Sequence, residues 1–354
     1  MDPAGGPTRT IGVMSGSSLD GIDLACCRLE ETPARWTFTL EGSRTVPYTP
    51  ELRDRLLHAT RATALELARL HRDVGRAIGD AVADLLPSHP AELVSSHGHT
   101  IFHQPAEGLT VQIGCGATIA ARSGLPTVCD LRTKDVALGG QGAPLVPLGE
   151  RLLFPEHQAF LNLGGISNIS VHGTRTIGYD VGACNQVLDH LAAEAGQAYD
   201  QDSRIARAGQ VHPALLQQLD ALPFHAQAPP RSLGREWFET QVRPLIDDRH
   251  IPLADRMRTA VEHIARMIVQ ELDRNGAKQV LVTGGGAHNT LLVERLRAMT
   301  TVRIDVPAKE LVDQKEALVF ALLGLLRWRG RSTALASVTG AERDSIGGAV
   351  YLPN

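Results

Sequence analysis

Apolar residues recur along this chain with two different periods, and the switches between them predict the elements. Thr10–Met14, Ile22–Leu29 and Trp36–Val46 read as three strands in a meander. From Glu51 to Leu86, Leu52, Leu56, Leu70, Val74, Ile78 and Val82 keep helical spacing with arginines and acids between them, which predicts a helix. Glu92–Ser96 and Leu109–Ile113 predict short strands around the stretch SSHGHTIFHQP. The segment RTKDVALGGQGAPLVP, Arg132–Pro147, keeps neither period and is rich in Gly and Pro, so it reads as a crossing between domains. After it the opening pattern returns. Ala159–Leu163 reads as a strand, GGISN (Gly164–Asn168) as a polar turn and Ile169–His172 as a strand. Thr176–Tyr179 leads into DVGACN (Asp180–Asn185) and a helix through His190; Gln279–Thr283 ends in GGGAHN (Gly284–Asn289) before an amphipathic helix. Each half opens with strand, glycine-rich turn and strand, and later strands alternate with helices. That is an α/β pattern.

Composition narrows the picture. The chain has 354 residues, 43% hydrophobic and 21% charged, enough for two ordinary domains with cores. A formal net charge of −4 argues against a broad nucleic-acid face. The longest apolar stretch, Ala317–Leu326, is too short for a membrane span and fits a buried helix. MDPAGGPTR carries no apolar leader, and five scattered cysteines without a C-x-x-C read as reduced thiols, so a cytoplasmic location is expected.

Chemistry is expected in the glycine loops. GVMSGSSLDGI, Gly12–Ile22, holds more glycines and hydroxyls than a hairpin turn needs, as loops do where backbone must approach a ligand. GSSLDG, DVGACN and GGGAHN each follow a strand, and their amides suit phosphate oxygens, helped by the positive end of a following helix. No P-loop is present, because no lysine follows a glycine, and no strand leads into G-x-G-x-x-G. A nucleotide would therefore be held by separate loops.

These loops, in this order, resemble the actin/hexokinase/Hsp70-type ATPase superfamily. Within it, GVMSGSSLDGID (12–23), SSHGHTIFHQP (95–105), DLRTKDVALGGQGAPLVP (130–147), LNLGGISNIS (161–170), GYDVGACN (178–185), TGGGAHN (283–289) and DQKEALVFALLG (313–324) resemble the anhydro-N-acetylmuramic acid kinase family. The chain departs from the family pattern at Ser17 (usually Thr), at His99 (usually Gln) and in DVGACN (usually D-T-G-P-G-N).

The resemblance implies two RNase-H-like domains with an ATP cleft between them, here residues 1–130 and 131–337, with the tail from about 338 to 354 packing back on the first. It implies ATP and Mg²⁺, a small sugar substrate, no nucleic acid or membrane partner, and a homodimer. Asp180 is then the base that takes a proton from water; read from the sequence alone, it serves equally as a helix cap. Gly16, Ser17, Ser18, Leu19, Asp20, Gly21, Ile22 and Asp23 are expected at the phosphates, with Asp20 and Asp23 holding Mg²⁺ through water, although an Asx turn also explains such acids. Gly284, Gly285 and Gly286 are expected against the adenosine and α-phosphate. Family position makes His97, Arg132 and Glu316 substrate contacts, Arg132 suiting a lactyl carboxylate. For Arg132 an ion pair, and for Glu316 a first-turn charge, are the plainer readings. His97, His99 and His103 lack the spacing of a zinc helix. Two rivals stay open: an actin- or Hsp70-like ATP-driven switch, and a kinase for another sugar.

Overall fold

The computed structural model of the protein describes residues 6–16, 19, 21–229 and 231–353. Of the expected site residues, Ser17, Ser18 and Asp20 lie outside these. The chain forms two compact units, Met1–Pro155 with Gln314–Asn354, and Glu156–Asp313. The first contributes β1 (Thr8–Met14), β2 (Ile22–Glu31), β3 (Trp36–Val46), β4 (Leu93–Ser96), β5 (His99–Gln104), β6 (Leu109–Ile113) and β7 (Thr127–Cys129). The second contributes β8 (Ala159–Leu163), β9 (Ile166–His172), β10 (Thr176–Ala183), β11 (Gln279–Thr283) and β12 (Arg303–Asp305). β13 (Ala349–Tyr351) belongs to the first unit again.

The two main sheets share one plan. In the first unit the order is β13-β7-β4-β1-β2-β3, in the second β10-β9-β8-β11-β12. β1, β2 and β3 form an antiparallel meander, and β4 and β7 continue it in parallel from β1. β8, β9 and β10 form the second meander, continued in parallel by β11 and β12. A meander whose first strand is also the parallel partner of later strands is the RNase-H-like arrangement, and it occurs twice. β5 and β6 form a separate hairpin.

Parallel neighbours need helical crossovers, which cover the sheet on both faces. Ile11 and Val13 of β1 are fully buried, and so is Thr10. The helix Lys309–Trp328 approaches β1 closely: a Cβ at Gly12 would collide with the Ala317 carbonyl and lie 2.7 Å from Ala321 N. On the helix side, Gly324 faces the Ser95 side chain in the same way. Glycine at both places lets helix and sheet meet.

Several expectations are revised. The helix expected over 51–86 is two, Pro50–Leu57 and Ala64–Leu85, because Thr63 and Glu66 form a capping box that starts a new one. Leu70, Val74, Ile78 and Val82 are buried along its inner face. Residues 131–155 and 314–337, expected in the second domain, lie in the first unit. Asp135 accepts from Thr339 Oγ1 at 2.7 Å, Gln141 N donates to Thr339 O at 2.8 Å, and Lys315 Nζ pairs with Glu150 at 2.7 Å. These bonds anchor the Gly-Pro segment, which carries helices Thr133–Ala137 and Val146–Leu153. The tail adds β13 antiparallel to β7. In the second unit β9 begins at Ile166, so only Gly164 and Gly165 remain as turn, and Asp180–Ala183 continue β10 with a bulge between Asp180 and Gly182.

Candidate functional site

The candidate residues gather where strands of each sheet run out. In an α/β sheet the carboxyl ends of parallel strands leave loops free to meet a ligand, because the helices pack on the faces. In the first unit Ser15–Gly21 follows β1, His97 follows β4 and Arg132 follows β7. In the second, Gly164 follows β8 and Gly284–Gly286 follow β11.

Within the first-unit loop, Leu19 has a left-handed backbone (φ 59°), and its N–H reaches Gly16 O at 3.3 Å. A Cβ at Gly21 would lie 2.9 Å from the Val46 carbonyl carbon, so the turn needs glycine there. Leu19 and Ile22 bury their side chains in the core, which leaves only their main chain for a ligand. Asp23 accepts from Thr45 Oγ1 at 2.6 Å. Ser15, which opens the loop, is buried against the Tyr48 hydroxyl and lies 2.8 Å from His99 Nδ1. His99, one of the departures from the family pattern, is thus a structural partner of the loop's first serine.

Next to it, His97, Arg132 and Glu316 come together. Arg132 Nε donates to His97 Nε2 at 2.8 Å, and Arg132 Nη1 donates to Gly142 O at 2.6 Å. His97 Nδ1 donates to Gly98 O at 2.8 Å. Burial, then the Arg132 cation, push the His97 pKa down to about 3, so the ring is neutral. Both ring nitrogens are engaged. His97 therefore holds Arg132 with one nitrogen and the Gly98 carbonyl with the other. Burial also lowers Arg132 to about 10, opposed by Glu316 and Asp135. Glu316 is raised by burial, opposed by Lys315 and Arg132 and reinforced by Glu150 and Asp23. Asp135, fully buried, accepts Gly142 N–H at 2.8 Å and holds the loop that Arg132 touches.

In the second unit Asp180 heads a polar row. Strand register aligns Asp180 with Asn168, Asn168 with Asn162, and Asn162 with Thr283. The Asp180 carboxylate accepts Leu233 N–H at 2.8 Å and Ser232 Oγ–H at 3.2 Å. Burial raises its pKa, against those two donors and the Arg231 cation. Asp180 caps no helix: the following helix is Asn185–Glu194, with Cys184 at its N-cap. The amides there are also taken, since Cys184, Asn185 and Gln186 N–H bond to the carbonyls of Gly164 and Gly165. The positive helix end expected at DVGACN is thus satisfied by the protein itself.

Gly284 has φ 83°, and a Cβ there would collide with Asn162 Oδ1. A Cβ at Gly286 would lie 2.7 Å from Leu163 Cβ, whereas Gly285 has only Asn185 Nδ2 nearby, at 3.5 Å. Asn289 caps the next helix by accepting Leu292 N–H at 2.9 Å. The residues missed from the sequence are Asn162, Asn168 and Asn185 and the arm Arg231–Leu233. The asparagines were visible inside the glycine motifs; the arm carries no motif and is found only through its contacts. Among the described residues, the group with metal-ligand spacing is His190, Glu194 and Asp247, and it includes none of the three histidines after β4. Arg256 and Arg243 already hold its carboxylates.

Comparison with known proteins agrees with the sequence. The profile of the family described as anhydro-N-acetylmuramic acid kinase matches residues 8–353. An anhydro-N-acetylmuramic acid kinase of Vibrio cholerae serotype O1 (strain ATCC 39315 / El Tor Inaba N16961) is 38% identical, over 97% of this chain and 98% of its own. One from Gloeobacter violaceus (strain ATCC 29082 / PCC 7421) is 36% identical, over 95% and 97%. Solved structures give more distant likenesses. The activator of the 2-hydroxyisocaproyl-CoA dehydratase from Clostridium difficile, with bound ADPNP, has a TM-score of 0.43 at 12% identity, covering 89% of this chain and 94% of its own. A ROK family glucokinase from Streptomyces griseus, with glucose and AMPPNP, has 0.42 at 15%, covering 90% and 99%.

Proposed function

Since the chain belongs to the anhydro-N-acetylmuramic acid kinase family, we propose that it uses ATP to open 1,6-anhydro-N-acetylmuramic acid and phosphorylate it, in peptidoglycan recycling. The observation that carries the mechanism is Asp180, a carboxylate at a strand bulge, half-buried and aimed by two donors. Water attacks the anomeric carbon as Asp180 takes its proton. The C1–O6 bond breaks, and O6 attacks the γ-phosphorus as the bond to the β-phosphate oxygen breaks. The products are N-acetylmuramic acid 6-phosphate, ADP and a proton.

Arg132, oriented by His97 and Gly142, is a bidentate partner for the lactyl carboxylate. Glu316, raised by burial, is poised to bond a sugar hydroxyl. Phosphates take the loop Gly16–Asp23, including Ser17, Ser18 and Asp20, and adenosine takes Gly284–Gly286. Asp23 feels a neighbouring carboxylate at Glu316, a hard-oxygen setting that suits a divalent cation. Asp23 and Asp20 would hold Mg²⁺ through water, and the ion would neutralise phosphate charge.

The test is ATP consumption with 1,6-anhydro-N-acetylmuramic acid, N-acetylmuramic acid, glucose and no sugar, read by product mass. Only the anhydro-sugar should give a product heavier by one water and one phosphoryl group. Equal ATP turnover without sugar would favour the ATP-driven switch, and a preference for another sugar would move the substrate. We also read the enzyme as a cytoplasmic homodimer that binds no nucleic acid; light scattering and a DNA-binding titration check the last two. No helix among the described residues is long and apolar enough to cross a membrane.

A further inference from the structure

We propose that Arg231 is a positioning residue for Asp180: anchored by Glu271, it closes the strand edge at Asp180 and fixes the arm that aims the carboxylate. The inference rests on reading Asp180 as the base. β10 is an edge strand of its sheet, and edges leave main-chain groups for others to take. At Asp180 one residue takes both. Asp180 N–H donates to Arg231 O at 3.0 Å, and Arg231 Nε donates back to Asp180 O at 3.0 Å. The next two residues hold the side chain, through Ser232 Oγ and Leu233 N. Three successive residues therefore grip Asp180 by its backbone and its carboxylate.

The grip is anchored in the core. Arg231 Nη2 donates to Glu271 Oε1 at 2.8 Å, with both side chains only 2% exposed. Nη1 donates to Gln227 O at 2.7 Å and His225 O at 3.3 Å. The guanidinium lies 4.9 Å from the Phe224 ring centroid and 5.6 Å from that of Tyr179. Glu271 also accepts from the Tyr179 hydroxyl at 2.8 Å and from Arg274 at 2.9 Å. A Cβ at Gly182, in the same bulge, would lie 3.3 Å from the neutral His225 ring. Among the described residues, the charged or titratable groups around this clamp are Arg231, Glu271, Arg274 and Tyr179, with His263 and Asp220 beyond His225.

A buried ion pair seldom stabilises a fold more than apolar residues of the same volume would. Fold stability alone therefore gives little reason for a buried guanidinium here. Fixing a reacting carboxylate gives a strong one, since a base displaced by about 1 Å can lose about 100-fold in rate. Lysine could not replace it, because an ammonium lacks the planar fork that reaches Asp180, Glu271 and the carbonyls together.

The test is the double variant Arg231→Met/Glu271→Met, which removes the clamp without leaving either charge buried alone, beside Arg231→Lys and Asp180→Asn. All are assayed with the anhydro-sugar after circular dichroism confirms folding. The double variant should lose about tenfold or more in kcat. Its acidic limb in the pH–rate profile should move up by about one unit, as the aiming donors loosen, while ATP affinity stays within about twofold. Arg231→Lys should fall between it and wild type. If the double variant lowers Tm but keeps kcat and the acidic limb, the clamp is only structural and the inference fails. If Asp180→Asn itself turns over normally, the reading of Asp180 fails instead. Should the double variant not fold, Glu271→Gln, which weakens the anchor and leaves Arg231 an acceptor, is held to the same two readouts.

Discussion

His225 allows a measurement of what a buried, neutral imidazole does to stability. The side chain is 7% exposed and packs among Phe224, Trp237 and His263. Burial first, then the neighbouring His263 and Arg231, lowers its pKa to about 3, against 6.5 for a free ring. In the unfolded chain the ring takes a proton as pH falls below about 6.5, whereas in the fold it stays neutral to about 3. The stability linked to this difference is fully present above pH 6.5 and is lost as pH falls from there towards 3. Between pH 7 and 5 the loss is about 2 kcal/mol, and it hardly depends on the folded value so long as that lies below about 4. His225→Phe removes the titration while keeping an aromatic ring beside Phe224, Trp237 and His263. Urea unfolding of both proteins at pH 7 and 5 is the assay, with the m-value checked for constancy. Wild type should lose about 2 kcal/mol more than the variant between the two pH values. His71, His99 and His103 are lowered too and add to the slope of both proteins, so only the difference reports His225. Parallel pH dependences in the two proteins would refute the reasoning.

Asp180→Asn should abolish turnover and leave ATP affinity within about twofold, measured by calorimetry, because the isosteric amide cannot take a proton from water. Asp135→Ala removes the acceptor of two buried bonds, from Gly142 N and Thr339 Oγ1. It should cost about 2–4 kcal/mol in urea unfolding and raise KM for the sugar as the Arg132 loop loosens. Gly284→Ala should lower stability by about 2 kcal/mol or more, being left-handed and packed on Asn162. Gly285→Ala, with nothing nearer than 3.5 Å, should fold normally and weaken ATP binding. Equal melting temperatures for those two variants would contradict the packing described.

The parts legible in the sequence were those with a local cause. Strand runs such as Thr10–Met14 and Gln279–Thr283 are short, apolar and bounded by glycine, so period and punctuation agree. The stretch from Glu51 reads as one helix because its apolar spacing continues in phase through a new N-cap, Thr63 with Glu66. DVGACN reads as a loop because glycine and a buried strand bulge share one signature; pairing with β9, which is not local, decides between them. The division between the units was misplaced for the same reason, since Asp135–Thr339 and Glu150–Lys315 join residues far apart in the chain. That both His97 nitrogens are occupied, by Arg132 and Gly98, is visible only in the geometry. Arg231 left no trace in spacing at all.

The two sheets explain why Asp180 and Glu316 are placed so differently for related electrostatic ends. A base that must be ionised near neutral pH, yet more basic than an exposed carboxylate, needs burial balanced by donors. Asp180 obtains burial at a bulged strand edge and its donors from an arm outside the sheet. Glu316 is tuned by neighbouring charges instead. It sits on the helix Lys309–Trp328, and its opposing influences are the cations Lys315 and Arg132. Donors at hydrogen-bond distance aim a carboxylate at one point, whereas cations that are held by other partners only moderate its charge. The first arrangement suits a group that must meet a single proton, the second a group that bonds a hydroxyl and tolerates small displacement. On the proposed reading of Asp180 as the base, the acidic limb of kcat should be its own. Glu316→Gln should raise KM for the sugar more than it lowers kcat, and a vanished acidic limb in that variant would reverse the two roles.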